Sequence, residues 1–388
     1  MSPVGLPEGY LYPGLASQLD VGPRTMRNRI VQAPLSVSYQ DQDGRVTDRT
    51  IAHYARRARG GVGMVVTENF AVEESGRQMP RQGLAAGEEY LPGLAKLAAS
   101  VRAEGALAVL QLVHAGRYAG PWEEYGARRR LAPSATPFEL TPGRMVTPDE
   151  ITLEEMSQVI DSFAGATRLA VRAGFDGVQL HGAQGFLLSE FMSPRMNQRT
   201  DAFGGDIAGR TAFVLETVDA VVAAAAGQIL VGFHLLSDEG MPGGWGPDDA
   251  AWLAGRLSGR GVDFISPVPS TFESLRARLA ADPACNPSAY DAGAVSVIRD
   301  RARVPIFVNG GLGHPERAEH IVGSGAGDAV MLGRALLTDP DWAVKVLSGK
   351  TADITSCDCN PPTCLRTQLT GTICHTWPAA DIDRGFVG

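Results

Sequence analysis

Residues 176–210 read DGVQLHGAQGFLLSEFMSPRMNQRTDAFGGDIAGR. The stretch opens on a short apolar run, Gly177-Val178-Gln179-Leu180, which reads as a strand. It then turns sharply through His181-Gly182-Ala183-Gln184-Gly185. Polar, glycine-rich residues at the C-terminal end of a strand are where α/β enzymes keep their chemistry. The fold follows from asking which strands surround this one.

Short apolar runs at 28–33, 62–67, 106–113, 229–235, 262–266, 304–308 and 328–332 read as its neighbours. Between them the pattern predicts helices over 51–59, 90–103, 152–173, 211–226, 248–260, 292–302 and 315–324, with a last helix over 342–347. Thr152 and Glu155 have the spacing of a capping box at the start of one of them. Continuous Val/Ile/Leu runs mark strands buried on both faces, and helical crossovers imply parallel pairing. Eight regular units predict a (β/α)8 TIM barrel, with its site where strands end in loops. Residues 114–150 are rich in Gly, Pro and Arg and show no periodicity, which marks a functional or disordered loop. The chain is expected to form a single barrel domain over 1–388, with residues 346–388 as a C-terminal extension carrying a cysteine cluster.

With 35 basic and 43 acidic residues the net charge is −8, which argues against nucleic acid or an anionic membrane as partner. A small-molecule substrate is expected, and a homo-oligomer is compatible with the composition. The first twenty residues hold no basic segment followed by an apolar run, so a cytoplasmic location is expected. Of the five cysteines, Cys285 stands alone while Cys357, Cys359, Cys364 and Cys374 cluster. In a cytosolic chain such a cluster suggests metal or nothing rather than disulfides.

The strand ends carry the candidate chemistry. Gly310-Gly311 lets backbone N–H groups approach an anion, and Gly333-Arg334 adds N–H groups and a guanidinium; together, after the seventh and eighth strands, they point to phosphate. Gln111 on a buried strand needs partners for its donor and its acceptor, and a heterocycle or the backbone would serve equally. His181 and Gln184, at i and i+3, could converge on one oxygen if the turn is helical, or simply cap a helix.

At these residues the chain resembles the Old Yellow Enzyme family of FMN-dependent barrel oxidoreductases. The likeness runs through NRIVQAP, IAHYARRARGGVGMVVTE, QLVHAGR, HGAQGFLLSEFMSPRMNQRTDAFGG, FVNGG and MLGRALLTDP. It implies FMN at the C-terminal end of the strands and NAD(P)H as co-substrate, with hydride passed to an activated alkene such as an enone, enal or nitroalkene. By the same resemblance, Ala33, Pro34 and Ser36 would lie along the flavin, Asn69 would contact it through the backbone, and Gln111 would meet its pyrimidine edge. Gly310, Gly311, Gly333 and Arg334 would cradle its phosphate, and His181 and Gln184 would activate the substrate.

Three positions depart from the family pattern. Gln184 stands where Asn or His is usual. Phe186 stands where a proton-donating tyrosine is usual, which leaves water or Tyr39 as the proton source. His234 stands in place of an arginine near flavin N1, which leaves the reduced flavin anion less stabilised. The terminal cysteines are similar to the four-cysteine iron–sulfur motif of the dienoyl-CoA reductase subgroup, but their C-x-C-x4-C-x9-C spacing is awkward for a cluster. No further electron-accepting domain is read in the sequence. A cluster is therefore not expected, and a degenerate cysteine site or zinc stays open. Phe186 also keeps two other readings open: a dehydrogenase, oxidase or demethylase in which substrate reduces the flavin, and a flavin-binding subunit without catalysis.

Overall fold

The computed structural model describes residues 11–120, 129–282, 287–357, 359, 362, 364 and 367–378. Its core is an eight-stranded parallel sheet. The strands are β1 (Ile30–Gln32), β2 (Met64–Ala71), β3 (Leu107–Val113), β4 (Gly177–Gly182), β5 (Leu230–Asp238), β6 (Phe264–Pro269), β7 (Phe307–Asn309) and β8 (Ala329–Leu332). They neighbour one another in the order β6-β5-β4-β3-β2-β1-β8-β7. A bridge between Ile265 and Ile306 joins the two outer strands and closes the barrel. Phe264 and Phe307 stack across that seam with centroids 4.6 Å apart.

The crossovers are helical, as the periodicity predicts: α1 (Asp48–Arg59), α2 (Leu91–Ala103), α3 (Leu153–Ala173), α4 (Ile207–Ala225), α5 (Pro247–Ser258), α6 (Ala294–Arg299) and α7 (Pro315–Gly323), with α8 (Trp342–Leu347) after the last strand. Thr152 and Glu155 form the expected capping box, and α3 stops at Gly174 in the left-handed conformation, φ 80°.

Three aspartates, each one residue ahead of β4, β6 or β8, latch the N-terminal end of the barrel. Asp176 accepts the Ala108 N–H at 3.0 Å, Asp263 the Val231 N–H at 2.8 Å and Asp328 the Ile306 N–H at 2.8 Å. Each satisfies a backbone donor where a neighbouring strand begins and the ladder has no partner to offer. The same end is plugged by an antiparallel hairpin that the sequence reading did not anticipate, Leu19–Val21 with Arg24–Met26. Its Val21 and Met26 pack against Val31, Met64, Val109 and Leu230 inside the barrel.

Other differences lie at the opposite end. β2 continues through Thr67-Glu68-Asn69, with an irregular register between Val66 and Asn69, because β3 offers it a partner there. β5 likewise runs on to Asp238, so His234 sits inside a strand and not at its end. The 114–150 segment is not featureless: Leu131–Ala132 pairs with Asp149–Glu150, and Phe138–Thr141 forms a hairpin with Arg144–Val146. Two short helices, Leu187–Met192 and Phe272–Ala281, follow β4 and β6. No helix among the described residues is long and apolar enough to cross a membrane.

Candidate active site

His181 lies on β4 beside His234 of β5 in parallel register. Their rings meet edge-on with centroids 5.1 Å apart. Desolvation, and then the neighbouring His234, hold the His181 imidazole well below its ordinary pKa, so the ring is neutral. Its Nδ1 accepts the Ala183 N–H at 3.4 Å, which places the ring proton on Nε2 as a donor. Gln184 is within hydrogen-bonding reach of the imidazole. The two meet, but not through a helical turn. β4 extends to Gly182, and Gln184 then takes a left-handed φ of 60°, where its carbonyl accepts the Phe272 N–H at 3.2 Å.

Burial lowers the His234 pKa to about 4, so this ring is neutral too. Its Nδ1 lies 2.6 Å from Ser266 Oγ on β6. Ser266 Oγ accepts from Gln179 Nε2 at 3.0 Å, and Gln179 Oε1 accepts from Gln111 Nε2 at 2.8 Å. Gln111 Oε1 is buried and has no hydrogen-bond partner among the described residues. One side chain from each of β3, β4, β6 and β5 thus forms a continuous polar layer facing into the upper barrel.

Above this layer lies a cavity of 640 Å³. Ala33, Pro34, Gln184, His234, Gly310, Gly311, Gly333 and Arg334 all line it. Gly310 has φ 95°, and a Cβ there would lie 2.8 Å from the Pro287 carbonyl oxygen. Gly311 has φ 67°. Only glycine keeps this turn both left-handed and close-packed. Glycine backbone and an arginine lining one cavity are the residue types that hold an anion.

The other predicted residues fall around the cavity and not on its wall. Asn69 pairs in register with Gln111, and its Oδ1 accepts from Gln82 Nε2 at 2.6 Å. The Ser36 carbonyl accepts from Thr372 Oγ1 at 3.1 Å. Tyr39 is buried, and burial pushes its phenol up to about 12. Its hydroxyl donates to the Thr372 carbonyl, under the C-terminal segment. Phe186 meets the His181 ring edge-on at 4.8 Å and packs with Tyr118, Phe138 and Phe272 in an apolar wall. Behind that wall, Glu190 accepts the Arg117 N–H at 2.9 Å, and burial lifts its carboxyl to about 8. Arg117 also meets Glu273 at 3.1 Å, tying the segments after β3, β4 and β6 together.

Cys357, Cys359 and Cys364 line the cavity mouth, and Cys374 is buried beside Trp377 and Leu337. Cys359 Sγ lies 2.8 Å from His375 Nδ1. Among the described residues no group of three or more His, Cys, Asp or Glu side chains is arranged to hold a metal ion. Cys285 lies outside the described residues.

Some of the site was missed from sequence. Asn309, Leu275 and Leu279 line the cavity, and Gln179 links Gln111 to Ser266. Thr271 and Ser274, a capping pair at the start of Phe272–Ala281, were the available signal for the helix that carries Leu275 and Leu279.

Comparison with known proteins gives a consistent result. The model of the NADH:flavin oxidoreductase / NADH oxidase family matches residues 15–353. An NADH oxidase from Thermoanaerobacter brockii is 33% identical over 355 residues, which cover 90% of this chain and 53% of that protein. An NADPH dehydrogenase from Halalkalibacterium halodurans is 32% identical over 322 residues, covering 82% of this chain and 89% of that protein. The chain thus spans about half the length of the NADH oxidase it matches and most of the NADPH dehydrogenase. Among solved structures, a complex of 2-naphthoyl-CoA reductase with 2-naphthoyl-CoA superposes with a TM-score of 0.88 at 25% identity, covering 97% of this chain and 58% of that one.

Proposed function

The chain belongs to the NADH:flavin oxidoreductase / NADH oxidase family, whose cofactor is FMN, and from that premise we propose that it reduces activated alkenes with electrons from NAD(P)H. The residues present fit the cofactor. Among the described residues the buried Gln111 Oε1 has no partner, which leaves it to accept from an imide N–H. Gly310, Gly311, Gly333 and Arg334, which line the cavity above, suit a phosphate. Bound FMN would supply hydride exchange between a nicotinamide and an electron-poor carbon.

The observation that carries the reading is the neutral donor pair. His181 is buried with its proton on Nε2, and Gln184 within hydrogen-bonding reach of it lines the cavity. Turned together onto a bound substrate, these two neutral groups would polarise an enone carbonyl or nitro group and gain strength as negative charge develops on it. Phe186, backed by Tyr118 and Phe272, packs edge-on against the His181 ring and keeps water from that side of the imidazole. Phe186 has no proton to give, and the Tyr39 hydroxyl is engaged by Thr372. Water entering the open cavity is the proton source this reading requires.

The test is an anaerobic titration of the FMN-loaded protein. NADPH or NADH should bleach the flavin absorbance, and 2-cyclohexenone or a nitroalkene should restore it. Flavin that stays bleached with enones, enals and nitroalkenes alike would sink the proposal. Bleaching by an amine or alcohol without nicotinamide would instead support a substrate-oxidising enzyme.

A further inference from the structure

The polar layer under the cavity has a direction. Gln111 Nε2 donates to Gln179 Oε1, and Gln179 Nε2 donates to Ser266 Oγ. Ser266 is fully buried, and the remaining partner of its Oγ is His234 Nδ1 at 2.6 Å. If Nδ1 carried the ring proton, Ser266 Oγ would receive two donors and its own proton would have no acceptor among the described residues. A buried O–H left in that state is costly. If Ser266 donates to Nδ1, each of the three links from Gln111 to His234 has one donor and one acceptor, and His234 keeps its proton on Nε2.

We propose that Gln179 and Ser266 are positioning residues that fix this polarity, so that Gln111 offers a carbonyl acceptor and His234 an Nε2–H donor to one bound ring. The site then selects a heterocycle with N–H at the Gln111 end and an acceptor atom at the His234 end, as on an imide-bearing pyrimidine edge. The identity of the ring rests on the FMN reading above; the polarity of the layer does not. Gln179 acts through Gln111, and Ser266 through His234, and neither is assigned contact with the ring. The distances from Gln111 to Gln179 to Ser266 to His234, 2.8, 3.0 and 2.6 Å, leave no room for an intervening water in the relay.

The tautomer can be read directly. In FMN-loaded protein labelled with 15N-histidine, two-bond proton–nitrogen correlations should show His234 as the neutral Nε2–H form, its signals assigned by their loss in His234→Gln. A neutral Nδ1–H form would overturn the proposal, because it requires the reverse polarity. Ser266→Ala should let both tautomers appear, and Ser266→Thr, which keeps the hydroxyl, should restore the single form. An unchanged tautomer in Ser266→Ala would also overturn it. If Ser266→Ala does not fold, the wild-type spectrum still decides. For the Gln111 end, FMN and 3-methyl-FMN are the probes. The methyl group removes the ring N–H, so wild-type protein should bind 3-methyl-FMN at least about tenfold more weakly. Gln179→Leu, which frees the Gln111 amide to turn, should narrow that ratio to about threefold. Equal affinity of the wild-type protein for the two flavins would refute the acceptor role. Neither readout involves hydride transfer, so a failed alkene reduction would leave both interpretable.

Discussion

Gln184 combines backbone strain and function at one position. Its φ of 60° is a conformation in which Asn is far commoner than Gln. The strain persists because Phe272 holds its carbonyl and the Thr271 strand bridge holds its backbone. On the proposed function, removing the amide while keeping the bulk, as in Gln184→Leu, would delete one of two donors to the substrate oxygen. We expect kcat/KM for an enone to fall about 10²-fold, with NADPH bleaching of the flavin unchanged in stopped-flow absorbance. Gln184→Asn keeps a donor on an arm one methylene shorter and suits the left-handed backbone. It should hold kcat/KM within about tenfold and leave the protein slightly more thermostable, by a few tenths of a kcal/mol. Equal losses in the two variants would mean that Gln184 acts only through its backbone. His181, Gln184, His234 and the glycine pairs were legible in the sequence because each stands at or near the C-terminal end of a strand. The conformation of Gln184 was not, since Phe272 fixes it from a distant segment. Gln179 reads from the sequence only as part of a strand, because its partners Gln111 and Ser266 come from other strands.

Among the elements, strands and crossover helices could be read from periodicity because burial on both faces leaves an unbroken apolar run. Leu187–Met192 and Phe272–Ala281 could not, being short segments placed by the turns before them. Gly174-Phe175-Asp176, Gly261-Val262-Asp263 and Gly327-Asp328 each put an aspartate directly ahead of a strand, and the sequence alone shows no purpose for it. The fold supplies the purpose: each carboxylate caps a neighbouring strand at the end away from the cavity. Asp328→Ala removes the acceptor for the Ile306 N–H and the partner of Arg299, which approaches at 3.0 Å. We expect a loss of about 2 kcal/mol, read as a drop of several degrees in the calorimetric Tm. FMN affinity should be unchanged, because in barrels the N-terminal face carries stability and the C-terminal face carries chemistry. A folded Asp328→Ala protein with weakened FMN binding would contradict that division.

For the whole molecule the two barrel ends are closed by different means. The N-terminal end is filled by the hairpin whose Val21 and Met26 enter the barrel interior. The C-terminal end is covered by a strap reached through α8. Thr372 N–H donates to the Val37 carbonyl at 2.8 Å, and Trp377 Nε1 donates to the Leu337 carbonyl at 2.8 Å. The strap therefore ties the segment after β1 to the segment after β8, and its Cys357, Cys359 and Cys364 form part of the cavity wall between them. Among its described residues Trp377, Ile373, Cys364 and Cys374 form a small apolar cluster with Leu337 and Leu35, so its stability should be local and well below that of the barrel. Trp377→Ala deletes the largest of these anchors, and such a loss costs about 3–5 kcal/mol in a packed core. That exceeds what a small satellite cluster supplies, so the strap should open while the barrel stays folded. Hydrogen exchange should then speed up at Thr372 and Ile373 and stay slow in β4 and β5. FMN should dissociate at least about tenfold faster once that wall is free to move. Fast exchange spreading into β4 would show instead that strap and barrel unfold as one unit.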